Sequence, residues 1–212
     1  MNHGRIILIR HGRTVWNKLR YIGWKDIPLD NCGRQQAENV KRQLLEEDID
    51  VIYSSPLIRA LDTIRPLSKE RNLPVRTSDD LKELCYGNIQ GMLKSENKIY
   101  VKKNHLHVPV LGGESVFDLY LRVRKFVSGL IDDLSYERHI IIVGHYLMNQ
   151  MLYMLMRKIP FKTDLNQLTY KPGHGSLLEL HYKMGEGNAV RIIHEHELLN
   201  KINNEDSLIK RG

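Results

Sequence analysis

The sequence predicts a single α/β domain: a mainly parallel central sheet, helices on both faces, and an antiparallel hairpin near the carboxyl end. Three observations predict it. Short β-branched apolar runs alternate with longer runs of helical period, the order in which strands and crossover helices build a parallel sheet. The last two strand candidates instead flank Gly185-Glu186-Gly187-Asn188, a hairpin pattern. Finally, 212 residues that are 42% hydrophobic and 27% charged suffice for one core without disulfide staples or a structural metal.

Arg5 to Ile9 supplies the first strand, and Gly33 to Glu46 follows with helical period. Val51 to Tyr53 is the second strand. Ser55-Pro56, a polar residue before a proline suited to a first helical turn, opens a helix over Leu57 to Glu70, which Pro66 is expected to kink or shorten. Pro74 to Thr77 reads as a third strand. Beyond Gly112-Gly113-Glu114-Ser115 a helix runs to about Leu134, with Val116, Leu119, Val123, Phe126, Val127 and Leu130 along one face. Ile140 to Val143 is the fourth strand. Tyr146 to Arg157 is apolar nearly all round and so reads as a buried helix, its methionines filling core. Ser176 to Tyr182 and Ala189 to His196 form the hairpin. The domain spans residues 1–197, and 198–212 form a polar tail.

Composition narrows the function. The formal charge is +7 and the isoelectric point about 9.3, but the basic residues are scattered from Arg5 to Arg211, which suits a small anion better than nucleic acid. Cys32 and Cys85 make neither a disulfide framework nor a zinc ribbon, pointing to a reducing compartment. No apolar run approaches the roughly 18 residues of a membrane span, and no secretory pattern opens the chain, so a cytoplasmic protein is expected. His194 and His196 share a strand face, as do His105 and His107 if extended; both pairs read as surface histidines rather than zinc ligands.

Three buried strands end abruptly at residues able to hold or attack an anion. The first runs into Arg10-His11-Gly12, the second leads through Ser54-Ser55-Pro56 to Arg59, and the fourth ends at Gly144-His145. Ligands of open α/β sheets bind beyond the carboxyl ends of the strands, so these segments are expected to converge. Two arginines present forked donors that match phosphate oxygens, one histidine can attack phosphorus, and another can donate to it. Helix starts after Ser55 and Gly144 are expected to add backbone N–H groups and dipole. Neither a P-loop nor a dinucleotide glycine fingerprint is present. A nucleophilic histidine would divide a difficult displacement into two easier steps through a phosphohistidine that water then cleaves.

The run Ile9-Arg10-His11-Gly12-Arg13-Thr14-Val15-Trp16-Asn17 resembles the Arg-His-Gly opening of the histidine phosphatase superfamily, the phosphoglycerate-mutase-like proteins. The likeness continues in order through Gly23-Trp24-Lys25-Asp26-Ile27-Pro28-Leu29, Gly33-Arg34-Gln35-Gln36-Ala37 and Tyr53-Ser54-Ser55-Pro56-Leu57-Ile58-Arg59-Ala60. It ends with Leu81-Lys82-Glu83-Leu84, Gly112-Gly113-Glu114-Ser115 and Val143-Gly144-His145. The resemblance implies that His11 is the phosphorylated nucleophile and that Arg10, Arg59 and His145 surround the phosphoryl oxygens. It makes Glu83 the general acid that protonates the leaving oxygen and then the base that activates water. Asn17, Gly23 and Ser115 would lie around the substrate, although Ser115 serves equally well as a helix cap. No metal or other cofactor is implied.

Three residues depart from the family pattern; one, Asp62 in place of a frequent glutamine, lies on a helix expected to face away from the phosphate, and the other two bear on the site. Arg13 stands where glutamate is frequent, which would make the site more positive and favour a substrate with a second anionic group. Tyr146 replaces a usual glycine. Its ring would narrow the pocket, contribute a hydroxyl to the substrate, or mark a member without activity. The expected function is a metal-independent phosphomonoesterase acting on a small phosphorylated metabolite. The alternatives are a phosphoglycerate mutase and a non-catalytic protein that binds a phosphorylated ligand. The shortness of the segment between Glu83 and Gly112 favours the open site of a hydrolase, with homodimerisation left open.

Overall fold

The computed structural model describes residues 3–16, 19–96, 105–136, 138–161, 168–185 and 190–198. Its strands are β1 (His3–Arg10), β2 (Val51–Ser54), β3 (Val75–Thr77), β4 (His139–Gly144), β5 (Leu177–Met184) and β6 (Val190–Leu198). They form one sheet in the order β3-β2-β4-β1-β5-β6. The first four in that order are parallel, and β5 and β6 are antiparallel additions beside β1. The predicted α/β class and terminal hairpin are therefore correct. Among the described residues no helix is long and apolar enough to cross a membrane.

Alternation along the strands divides the core. Ile6 and Leu8 of β1, with Ile140 and Ile142 of β4, face one side, whereas Ile7, Ile9, Ile141 and Val143 face the other. The first side is covered by α3 (Val116–Gly129), α4 (Ile131–Ser135) and α5 (Tyr146–Met156), whose Leu119, Val123, Leu134, Met151 and Leu152 are buried there. The second is covered by α1 (Asn31–Leu44) and α2 (Ile58–Glu70), through Val40, Leu44, Ala60, Ile64 and Leu67. Central strands buried on both faces explain why their sequence is continuously apolar rather than alternating.

Several boundaries differ from the sequence expectation for local reasons. Helix α1 starts at Asn31, because the Asp30 side chain accepts a bond from Gly33 N and caps the helix earlier. Pro66 does not shorten α2: the buried neighbours Ile64 and Leu67 carry the helix past the missing bond to Glu70. The long helix after Ser115 is instead two, broken at Leu130, whose N–H is shared between Phe126 O and Val127 O. Most of the expected hairpin turn, and the tail after Leu198, lie outside the described residues.

Candidate active site

Strand register brings the chemistry together. Arg10 pairs with Gly144 at the carboxyl ends of β1 and β4, and Ser54 of β2 pairs with Val143. The pairing runs one residue past β1, where His11 N donates to Gly144 O at 2.9 Å, so His11 and His145 emerge side by side with ring centroids 5.1 Å apart. A cavity of about 150 Å³ opens here. Of the residues singled out in the sequence, Arg10, His11, Gly23, Arg59, Glu83 and Tyr146 line it.

His11 is buried, and its tautomer is fixed by its neighbour. Nδ1 lies 2.7 Å from Gly12 O, a carbonyl that can only accept, so Nδ1 carries the proton and Nε2 keeps its lone pair. Burial, followed by the positive surroundings of Arg59, His145, Arg10 and His174, holds the ring well below the ordinary histidine range. A neutral imidazole with a free Nε2 is what a nucleophile requires. His145 is wholly buried, and burial together with Arg59, Arg10 and Arg122 lowers it similarly. Neither of its ring nitrogens has a hydrogen-bond partner, and the Nε atoms of Arg10 and Arg59 are also buried and unpartnered.

Arg59 hangs from the first turn of α2, with two backbone carbonyls steering its guanidinium. Nη1 donates to Lys25 O at 2.8 Å and Nη2 to Gly23 O at 2.7 Å. Gly23 adopts φ +54, in the left-handed region that favours glycine, and Tyr86 N would lie 3.1 Å from a Cβ there, so a side chain at this position would strain the turn that reaches Arg59. Burial lowers Arg59 to about 10, which still leaves it charged at neutral pH. Thr63 ties the two arms of the site together: its hydroxyl accepts from Gly12 N at 2.9 Å and donates to Arg59 O at 2.7 Å. The Tyr146 ring lies against the Arg10 guanidinium at 5.1 Å, an arrangement that holds both walls of the cavity.

Glu83 is buried and sits across the amino end of α5. Its carboxylate accepts from Leu84 N at 2.9 Å, Leu147 N at 3.2 Å and Met148 N at 3.3 Å. The segment carrying Glu83 is bolted to α3. Arg122 forks onto both oxygens of Glu114 at 2.9 and 3.0 Å and donates to the carbonyls of Asp80, Lys82 and Glu83. Glu114 also accepts from Cys85 N, and Trp24 Nε1 donates to Glu83 O at 2.7 Å. This clamp gives the Gly-Gly-Glu-Ser stretch a physical purpose. Gly113 packs so closely that a Cβ would lie 2.3 Å from Cys85 O.

Other expectations are met differently. Ser115 does not line the cavity; its hydroxyl accepts from Asp118 N and donates to the Asp118 carboxylate, forming a capping box for α3. Asn17 lies outside the described residues. Arg13 does not add charge to the cavity, because its guanidinium pairs with Asp30 at 2.7 Å beside α1. The extra positive charge comes instead from Arg20 and Lys94 at the cavity wall, on two segments joined by the Arg20–Leu93 bridge. Carboxylates cover the helix starts expected to hold an anion. Asp26 accepts from Ile58 N at 2.6 Å, and Glu83 takes the Leu147 and Met148 donors. Sequence reasoning missed His174, which lines the cavity 5.5 Å from the His11 ring. Its only signal was a histidine between two glycines just before β5. Among the described residues no group of three His, Cys, Asp or Glu side chains has metal-holding geometry.

Residues 6–194 match the model of the histidine phosphatase superfamily, branch 1. Phosphoserine phosphatase 1 of Hydrogenobacter thermophilus is 32% identical over 158 residues, covering 70% of this chain and 74% of the relative. A 2,3-bisphosphoglycerate-dependent phosphoglycerate mutase of Nitrobacter winogradskyi is 30% identical, covering 75% and 84%. Among solved structures, a mycobacterial glucosyl-3-phosphoglycerate phosphatase superposes with a TM-score of 0.77 at 26% identity, covering 90% of this chain and 96% of the other. With its motifs in order, its site at the carboxyl edge of the sheet and a family match spanning most of its length, the chain belongs to the histidine phosphatase superfamily.

Proposed function

We propose that the chain hydrolyses a small phosphomonoester through a phosphohistidine on His11, without a metal ion. The observation that carries this reading is the pairing of a neutral, Nε2-nucleophilic His11 with buried polar nitrogens that have no partner, on Arg10, Arg59 and His145. A buried polar group left unpaired costs about 1–3 kcal/mol, so these groups are matched to an anion that brings its own acceptors. A phosphoryl group supplies them. The phosphatases among relatives and structural neighbours support the same class of reaction.

In the first half-reaction His11 Nε2 forms a bond to phosphorus as the bond to the leaving oxygen breaks. Arg10 and Arg59 balance the charge on the equatorial oxygens. Glu83, which also lines the cavity, delivers a proton to the leaving oxygen. In the second, water attacks phosphorus, Glu83 takes the proton of that water, and the N–P bond breaks to release phosphate and restore His11. Arg20 and Lys94 favour a substrate with a second anionic group beyond the phosphoryl group. The mutases among the relatives favour a second reading, isomerisation of a phosphoglycerate, in which the phosphohistidine passes its group back to an organic hydroxyl instead of water.

The test is phosphate release from a panel of phosphoserine, sugar phosphates, phosphoglycerates and a chromogenic ester, each assayed with chelator present. Turnover that survives chelation and disappears in His11→Ala is expected, together with loss of covalent labelling by substrate phosphate. Isomerisation of 3-phosphoglycerate far faster than its hydrolysis would establish the mutase reading instead.

A further inference from the structure

We infer that His174, at the turn before β5, is a positioning residue that holds Arg10 in its phosphate-binding orientation. The inference rests on the phosphatase reading of the site and adds to it a residue that the sequence motifs do not mark. Because β5 runs antiparallel beside β1, its first residue, Leu177, pairs with Ile9 at the carboxyl end of β1. The turn that leads into β5 is thereby delivered to the edge of the sheet where the parallel strands end.

That turn grips the end of β1 through its backbone. Arg10 N donates to Ser176 O at 3.2 Å, and Gly175 N donates to Arg10 O at 3.0 Å and to His11 O at 3.2 Å. Gly175 makes this turn at φ +66, in the left-handed region where glycine is at ease. The same turn then holds the Arg10 side chain. Nη1 donates to Pro172 O at 2.8 Å, and Nη2 stands 2.8 Å from His174 Nε2.

A guanidinium can only donate, so His174 Nε2 must be the unprotonated nitrogen, with its ring proton on Nδ1. A neutral His174 is therefore an acceptor for Arg10. An imidazolium in its place would lose the bond and repel the guanidinium. The ring is buried, and the Tyr146 ring lies against the Arg10 guanidinium, so Arg10 is held by a carbonyl, an imidazole and an aromatic ring. No carboxylate bond to it is needed, which leaves its charge available to an incoming anion. A side chain tethered in this way pays little ordering entropy when phosphate binds.

The experiment is a double-mutant cycle on the full chain. It uses His174→Ala, Arg10→Ala and the double variant, with His174→Gln as the acceptor-retaining control. Two readouts are taken: the calorimetric Kd for inorganic phosphate, and kcat/KM for the best ester of the panel. His174→Ala should weaken phosphate binding and lower kcat/KM by roughly ten- to a hundredfold, the range for losing a hydrogen bond to a charged group. His174→Gln should recover most of that loss. In the Arg10→Ala background the further change to Ala at 174 should have an effect below about twofold, because its partner is already gone.

Equal losses in both backgrounds would overturn the inference by making His174 a direct ligand contact, and so would an unchanged His174→Ala. Loss in His174→Gln equal to that in His174→Ala, with both melting well below the wild type, would reduce the residue to a packing role and overturn it as well. If the wild type binds phosphate but hydrolyses no ester, the phosphatase reading fails, and the binding arm alone still decides the role of His174.

Discussion

Replacing Glu83 with glutamine should injure the protein in two separable ways. The carboxylate accepts three backbone N–H groups, and two of them, from Leu147 and Met148, belong to the first turn of α5, where no intrahelical partner exists. Removing the negative charge from that partly enclosed helix start costs about 1–2 kcal/mol. Turning one acceptor oxygen into an NH₂ that faces a backbone donor costs about 1–3 kcal/mol more. Arg10 and Arg59 also lose a counter-charge, which acts in the same direction. A total of roughly 2–5 kcal/mol in a chain of this size lowers Tm by about 4–20 °C, measurable by scanning calorimetry. Catalysis should fail according to the leaving group. An alkyl phosphate, whose alkoxide departs poorly, loses most of the ~10²–10⁴-fold contribution of a general acid, while a nitrophenyl phosphate loses far less. Covalent labelling of His11 by the nitrophenyl ester should persist. A variant that melts with the wild type would refute the capping role, and equal slowing of both esters would refute proton delivery.

Acid should destabilise the fold through its buried histidines. His11 and His145 are both held well below the ordinary range by burial first and by the arginines second, whereas in the unfolded chain they titrate near about 6.5. Below that pH the unfolded state binds protons that the folded state refuses. Stability is therefore complete above about pH 6.5 and falls as pH decreases, by up to about 2.7 kcal/mol per pH unit for the pair. Urea unfolding across the acid range reads the slope, and His145→Gln should flatten it; an unaltered slope would show that His145 is protonated in the native state. For the clamp, Arg122→Lys keeps the charge but cannot fork onto Glu114 while reaching the carbonyls of the Glu83 segment. It should lower kcat about tenfold or more for alkyl esters, less for nitrophenyl esters, with KM nearly unchanged, in steady-state assays. Equal loss on both esters would leave Arg122 with a purely structural role.

The residues readable from sequence are those carried by parallel strands. A strand that is apolar on both faces must be central, and its first polar residue marks the carboxyl edge where ligands bind. Arg10, His11 and His145 follow from that rule alone. Arg59 is reached by one turn of helix beyond the second such edge. His174 escapes the rule because it precedes an antiparallel strand, whose beginning rather than its end lies at the site. Glu83 and Arg122 escape it for another reason: neither belongs to the sheet, and their mutual placement depends on side-chain bonds to carbonyls far away in sequence. The family resemblance supplied Glu83; periodicity could not have. Asp26 and Glu83 as helix caps were equally hidden, since a cap contributed from a distant loop leaves no local spacing to read.

Those two borrowed caps bear on how a catalytic cycle finishes. Bare helix starts are strong traps for inorganic phosphate, and an enzyme built around them would be held by its own product. Here Ile58 N at the start of α2 and Leu147 N and Met148 N at the start of α5 are already engaged by carboxylates, one of which, Glu83, stands in the cavity wall. On the proposed mechanism Glu83 holds the proton taken from water when phosphate is freed; once it passes that proton on, its regained charge opposes the bound dianion against the attraction of the arginines, and the cavity clears for the next molecule. Binding strength surrendered in the resting and product states costs no speed so long as the arginines meet the charge that develops at phosphorus. Weak inhibition by accumulated phosphate is the kinetic mark of such a design.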